Sequence, residues 1–492
     1  MLKQLFKSFG SNSPERKDSP VRNDSPKRKD SPKTDIQREP EIISRDNHCI
    51  SRKQISKNAL TVIYDLRRAG FEAYLVGGGV RDLLLDLDPK DFDVATNATP
   101  EQVQQHFRRA RIVGRRFKIA HVRFGREIIE VTTFRAAHNQ LSASDANKKQ
   151  PRSNKNIAQT NDHGMLLRDN VYGSLREDAL RRDFTVNALY YSIDGFSVLD
   201  YVGGMADLQS RTLRIIGDAA QRYAEDPVRM LRAIRFKAKF DFDFETQTAA
   251  PLTSMGHLLQ QVAPPRLFDE IIKLLLSGKG LKTYELLCEY QLFESLFPGT
   301  AKLLNNSAEA DAHHDMICSA LSNTDQRIKE DKPVTPAFLY AALLWPQVSE
   351  EASVRESEGA PRLRALQIAG HNAIDAQMPI IAIPKRFSIA SREIWTLQQR
   401  LETANGKRAI AVLQHPRFRA AYDFLLLREQ NGEQLNQRGE FWTQLQEEHP
   451  LNPRSGIDTH LGGNDRGHNN GRPRRRRRSR KPNRQKYTDP KS

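Results

Sequence analysis

Asp91-Phe92-Asp93 is the part of this sequence with the most chemistry in it. On an extended segment, side chains at i and i+2 share a face. Two carboxylates then project together, while Phe92 and Val94 turn toward a core. Like charges that close repel each other unless a cation lies between them. Mg²⁺ takes one or two carboxylates and completes its shell with water and substrate phosphates. A dozen or so residues upstream, Gly77-Gly78 follows the apolar run Tyr74-Leu75-Val76 and precedes a helical pattern. Glycines let backbone N–H groups approach phosphates, and a helix N-terminus favours anions. No Gly-Lys-Ser or Gly-Lys-Thr follows, so the turn is not a P-loop. Together the two features imply a nucleotide–Mg²⁺ site.

A second constellation is Asp226 with Arg229. Asp226-Pro227 reads as a helix start, with Asp as N-cap and Pro at the first helical position. Residues three apart then share a face. A carboxylate accepts from an exocyclic amine, and a guanidinium donates to ring nitrogens. Adenine and cytosine both satisfy this pair. It therefore argues for A or C over U or G and does not separate A from C.

The elements that must position these residues are mixed up to about Tyr201 and helical after about Gly217. A helix is expected from near Ile55, with Leu60, Ile63, Tyr64 and Leu66 as its apolar marks. Tyr74–Val76 and Lys90–Ala95 read as strands. His121–Phe124 and Glu127–Thr132 read as a hairpin turned by Gly125-Arg126, because a II′ turn wants Gly first. Leu189–Ile193 and Phe196–Leu199 read as a second hairpin around Asp194-Gly195. Further helices are marked by Met230, Leu231, Ile234 and Ala238, and by Leu267, Ile271, Leu274 and Leu275. Residues 303–335 are poorly patterned. The fold class is α+β: a small mixed-sheet head, then an all-α C-terminal region, with disordered termini. The expected domains are a disordered Ser-Pro and basic extension (1–50), a catalytic head (51–204) with a mobile loop (136–164), a helical neck (205–300), a helical RNA-binding body (301–451) and a disordered Arg-rich tail (452–492).

The order strand, Gly-Gly turn, helix, Asp-x-Asp resembles the polymerase-β-type nucleotidyltransferase superfamily. The strings Leu75-Val76-Gly77-Gly78-Gly79-Val80-Arg81-Asp82 and Asp91-Phe92-Asp93-Val94-Ala95-Thr96 resemble its branch of CCA-adding enzymes and bacterial poly(A) polymerases. Two more strings are similar to that branch: Arg181-Arg182-Asp183-Phe184-Thr185-Val186-Asn187-Ala188-Leu189 and Glu225-Asp226-Pro227-Val228-Arg229-Met230-Leu231-Arg232. The stretch Ile112 to Val122 looks like the signature of the poly(A) polymerases within it.

The resemblance implies AMP transfer from ATP to RNA 3′ ends, with two Mg²⁺ ions at Asp91 and Asp93. It implies that Asp183 is catalytic, that Gly77, Gly78, Arg81 and Arg182 bind nucleotide, and that Asp226 and Arg229 read the base. Glu130, on the neighbouring hairpin, is the rival third acid. Arg115, Arg116 and Lys118 are candidate contacts for triphosphate or primer phosphates. RNA-decay machinery or an RNA chaperone is the implied protein partner. The competing readings are a CCA-adding tRNA nucleotidyltransferase and a non-catalytic RNA-binding scaffold.

Composition agrees with a polyanionic partner. The 492 residues carry a formal charge of +17, and ten cationic residues sit between Arg472 and Lys486. Each phosphate neutralised there, for instance by Arg474, Arg475, Arg476, Arg477 or Arg478, releases counterions. Cys49, Cys288 and Cys318 are scattered, which fits a reducing, cytoplasmic setting and no zinc site. No apolar run reaches the length of a membrane span. Weak membrane-surface contact through Leu2, Leu5, Phe6 and Phe9 is the most the N-terminus offers. His313-His314-Asp315 lacks the companions of a metal phosphohydrolase site. A monomer is expected.

Overall fold

The computed structural model describes residues 39–114, 118–136, 159–160, 166–168 and 171–449. Arg115, Arg116, Arg474–Arg478, the Ser-Pro repeat and most of the loop 136–164 lie outside these residues. The chain divides into two compact units, Met1–Glu225 with Asp243–Thr248, and Asp226–Phe242 with Ala249–Ser492.

The first unit is built on one mixed sheet. Its strands are β1 (Glu41–Ile43), β2 (Ala73–Val76), β3 (Asp93–Thr96), β4 (Ala110–Val113), β5 (Ile119–Phe124), β6 (Glu127–Thr133), then β9 (Leu189–Tyr191) and β10 (Val198–Asp200) after a separate β7–β8 ribbon (Gln159–Thr160 with Leu166–Arg168). The sheet order is β1-β10-β9-β2-β3-β6-β5-β4, antiparallel except where β3 runs parallel to β6. The helix Lys57–Arg68 packs onto this sheet. Ser56 caps it by accepting from the N–H groups of Asn58 and Ala59. Its buried stripe is Ala59, Val62, Ile63 and Leu66, at the spacing of one helix face, whereas the expected Tyr64 faces out.

Several expectations need correcting. β1 lies inside the segment 1–50 expected to be disordered: Glu41–Ile43 pairs with Val198–Asp200 and so closes the sheet. The strand expected over Lys90–Ala95 begins only at Asp93. Gly125 does turn the β5–β6 hairpin, with φ +61°. The β9–β10 connection is longer than a two-residue Asp-Gly turn, with positive φ at Gly195 and Phe196 rather than at Asp194. The β7–β8 ribbon begins within the loop expected over 136–164.

The boundary expected at 204/205 also moves. Strand β11 (Thr212–Leu213) pairs in parallel with β12 (Asp243–Phe244), although the region from 205 was expected to be purely helical. The N–H of Thr185 donates to the Arg214 carbonyl, and that of Ile216 to the Asp183 carbonyl. These bonds tie 212–216 to the Asp183 turn, which is why 205–225 belongs with the first unit. Gly204 abuts the same turn: a Cβ there would lie 2.2 Å from the Thr185 carbonyl oxygen.

The second unit is helical. The apolar marks read in the sequence, Met230, Leu231, Ile234 and Ala238, and Leu267, Ile271, Leu274 and Leu275, are all buried. The poorly patterned 303–335 contains the end of the helix Pro298–Asn306 and all of Ala310–Lys329. The helix Pro336–Ser357 is covered along most of its first half, and Trp395 donates from its ring N–H to the Ala341 carbonyl at 3.1 Å. Among the described residues no helix is long and apolar enough to cross a membrane.

Candidate active site

β2 ends at Val76, which pairs with Asp93, and the chain then bends at Gly77 into the helix Gly78–Leu84. Gly77 has φ +75° and ψ −136°, a conformation that penalises any Cβ. A Cβ added there would also lie 3.8 Å from an Asp93 carboxylate oxygen and 3.5 Å from Arg182 Nη1. The glycine bend, Asp93 and Arg182 therefore meet at one point. Asp91 precedes β3 and is exposed, and its carbonyl oxygen is 3.4 Å from the Cβ position of Gly79. The two aspartates are not alternate residues of one strand, but they remain close enough to interact electrostatically.

Asp93 is half-buried, and its neighbours are mostly of its own charge. Burial raises its carboxyl, the Glu130 and Asp91 carboxylates raise it further, and Arg182 lowers it, with a net value of about 6. Glu130 sits directly across from Asp93 on β6. Glu130, the rival to Asp183 as third acid, is thus brought beside Asp93. Glu130 is also 3.3 Å from His121 Nε2.

Asp183 is held by its own turn. Its carboxylate accepts from the Phe184 N–H at 2.8 Å and from Asn187 Nδ2 at 3.2 Å. Asn187 Oδ1 in turn accepts from Arg81 Nη1. Arg81, expected at the nucleotide, is 4 % exposed and pairs with Asp82 at 2.6 Å, so it joins the glycine-turn helix to the Asp183 turn. Arg182 is held from behind: Nε and Nη2 donate to Asp178, and Nε also to the Tyr190 hydroxyl at 2.8 Å. Its Nη1 faces Gly77. Arg222 donates to the carbonyls of Arg181 and Arg182 and pairs with Glu225 at 2.7 Å.

In the second unit, Asp226 is not an N-cap. The helix begins at Val228, Pro227 precedes it, and no side chain caps it. The Asp226 carboxylate instead receives both Nη atoms of Arg266, each at 2.8 Å. The fork fixes the carboxylate plane, as bidentate pairs do. Arg229 lies in the first turn of the same helix. Lys118 is half-exposed and pairs with Glu101 at 2.8 Å.

The sequence reading missed Asp178, Tyr190, Asn187, Arg222 and Arg266 as supports. Arg266 carried the one usable signal, since Pro264-Pro265 just before it marks a helix start. Among the described residues no three His, Cys, Asp or Glu side chains converge to enclose a metal ion. Such a cage is not what Mg²⁺ on a nucleotide needs: one or two carboxylates suffice when phosphates supply the other oxygens. The crowding of like charges on Asp93 fits a cation there.

Three family models match the chain: "Poly A polymerase head domain" over residues 73–214, "Probable RNA and SrmB- binding site of polymerase A" over 241–304, and "Polymerase A arginine-rich C-terminus" over 358–482. The chain is 49% identical over 412 residues to poly(A) polymerase I of Salmonella typhi, covering 83% of this chain and 86% of that protein. It is 45% identical over 411 residues to poly(A) polymerase I of Haemophilus influenzae, covering 83% and 88%. A crystal structure of the Bacillus stearothermophilus CCA-adding enzyme with CTP superposes with a TM-score of 0.51 at 24% identity, over 80% of this chain and 82% of that one, which shows a shared fold. With the acid pair, the glycine bend and these relatives in agreement, the chain belongs to the bacterial poly(A) polymerase family and is a polynucleotide adenylyltransferase.

Proposed function

We propose that this enzyme joins AMP from ATP to an RNA 3′ hydroxyl at Asp91 and Asp93, with two Mg²⁺ ions held there, and releases pyrophosphate. The observation that carries the reading is the setting of Asp93, crowded by carboxylates on one side and open to a glycine bend on the other. Bound Mg²⁺ would lower the pKa of the 3′ hydroxyl and neutralise the triphosphate and the departing pyrophosphate. Gly77 and Gly78 leave room for phosphates, and Arg182 Nη1 offers them a fixed positive donor. Glu130 is the third acid of this site. Asp183 is the catalytic or ribose-orienting acid, and Arg81 acts on it through Asn187. Asp226 and Arg229 read adenine, with Arg266 fixing the carboxylate plane. Arg115, Arg116, Lys118 and the Arg474–Arg478 run bind primer phosphates. Residues 241–304 bind RNA and a SrmB-type partner in the cytoplasm.

The test is AMP incorporation by the full chain on a generic RNA 3′ end, with each nucleotide supplied alone. Long A tails from ATP, lost in Asp91→Ala and Asp93→Ala while the far-UV spectrum and melting profile persist, are expected. Retained incorporation in both variants, or a stop after C-C-A, refutes the reading.

A further inference from the structure

The face of the sheet that carries Asp93 continues past Glu130 to the sheet edge, and its charge changes sign on the way. Residues directly opposite across a ladder point to the same face. Asp93 lies opposite Glu130, Glu130 opposite His121, and His121 opposite Arg111. A second row runs from Ile128 to Arg123, whose N–H donates to the Arg109 carbonyl and so sets Arg109 beside it. The alternate residues Ala110, Ala120, Val122, Ile129 and Val131 are buried on the other face. Arg109, Arg111 and Arg123 are exposed, and among the described residues none of them has an ion pair. The acids around them are already engaged: Glu101 with Lys118, Glu127 with Ser56 and Asn58, and Glu130 with His121. Like charges placed side by side on a ladder cost stability unless a counter-charge joins them.

We infer that this face holds the RNA primer strand, with Arg109, Arg111 and Arg123 binding its phosphodiesters upstream of the 3′ end. The inference rests on the acid site proposed above and adds the direction from which the primer reaches it. The glycine bend follows β2, on one side of β3, and the arginines lie beyond β6, on the other. Triphosphate and primer thus have separate flanks of Asp93. Three strand spacings put Arg111 about 14 Å from Asp93. A chain of three phosphates anchored at both the acids and the glycine bend does not extend that far the other way. A stacked strand, rising roughly 3.4 Å per phosphate, reaches it about four nucleotides from its end. Exposed Val113 and Ile128 on the same face give the bases apolar surface.

The experiment compares the full-length chain with a triple Arg109→Gln/Arg111→Gln/Arg123→Gln variant and its triple Arg→Lys counterpart, on a trinucleotide and on a long oligoadenylate primer. The Gln variant should raise KM for the long primer by about tenfold or more, with KM for ATP and KM for the trinucleotide moving less than about twofold. The slope of log K against log salt should fall by about 2, at roughly 0.7 per lost single-strand phosphate contact. The Lys variant should recover most of the affinity. A rise in KM for ATP with long-primer KM unmoved, or no change in either, overturns the inference. So does an equal loss on both primers. Losing these arginines is overcome by added RNA, whereas a failed acid site (Asp93→Ala) gives no product at any RNA concentration. Independently of any variant, photo-crosslinking wild-type enzyme to a primer with 4-thiouridine about four nucleotides from its 3′ end should label residues 106–126. Label found only beyond residue 226 sinks the assignment.

Discussion

Two half-buried carboxylates in this enzyme are treated in opposite ways. Asp93 is surrounded by Glu130 and Asp91, and burial and these neighbours raise it to about 6. Glu402, in the helical unit, pays the same burial, but it accepts from Arg362 Nε at 2.7 Å and Arg428 Nη1 at 2.8 Å, and its carboxyl is held below the usual range. Arg428 is 1 % exposed and also pairs with Glu433 at 2.6 Å. The helical unit satisfies its charge within the protein. Around Asp93 the like charges outnumber the one cation, Arg182, and the metal–nucleotide complex proposed above would meet that demand.

The comparison breaks if either carboxylate can be neutralised without its own consequence. Asp93→Ala should lower AMP incorporation by about a thousandfold or more, equivalent to roughly 4 kcal/mol of transition-state stabilisation, read as kcat/KM for ATP. Glu402→Gln should leave turnover of the folded enzyme within a few-fold of normal. Arg428→Met should do the reverse. It takes from Glu402 and Glu433 their shared cation and leaves Glu402 with Arg362 alone, and breaking a buried pair by removing one partner costs about 3–5 kcal/mol. A melting experiment should show a lower Tm for the helical unit; an unchanged Tm would mean the arginine is not a structural tie.

The same contrast explains what the sequence could and could not disclose. Asp91-Phe92-Asp93, Gly77-Gly78 and the Gly125 hairpin are local patterns, and they lead to the site without the fold. Glu130 meets Asp93 through parallel pairing of β3 with β6, some 37 residues on, and nothing local announces a parallel register. Asp226 and Arg266 are 40 residues apart, so the helix-start pattern at Asp226-Pro227 was read as a cap when tertiary pairing had claimed the carboxylate. β1 was missed because three residues beside a polar repeat gain their order from β10. The helix Ala310–Lys329 was legible in principle: His313, Met316, Ile317, Ala320, Leu321 and Thr324 are buried at helical spacing. Its stripe includes a histidine and a threonine, so an apolar pattern search passes over it.

A smaller effect sharpens the reading of Asp93. An unfolded aspartate ionises near 3.8 and the folded one near 6. Between these values the folded chain holds a proton that the unfolded chain has lost, so stability falls as pH rises and the full loss is present above 6. Asp93→Asn removes that charge. In EDTA at pH 8 the variant should be more stable than the wild type by at most about 3 kcal/mol, and the gain should vanish toward pH 4. Added Mg²⁺ with a non-hydrolysable ATP analogue should stabilise the wild type and not the variant. A variant less stable than wild type at pH 8 would show that Asp93 is a structural acid like Glu402.

The smallest effect concerns Asp226, which is an intermediate case: its carboxylate has a partner in Arg266, as Glu402 has, yet it sits where a base reader is proposed. If the arginine serves only to hold the helices Val228–Phe240 and Pro264–Leu275 together, Arg266→Gln should lower Tm and leave nucleotide choice alone. If it fixes the carboxylate plane for the base, the glutamine lets that plane rotate. KM for ATP should then rise about tenfold, roughly 1.4 kcal/mol, and the preference for ATP over CTP should narrow, with kcat less affected because the acids are untouched. Measuring kcat and KM for both nucleotides in the one variant separates the two roles. A fall in Tm with unchanged selectivity would place Asp226 with the structural carboxylates.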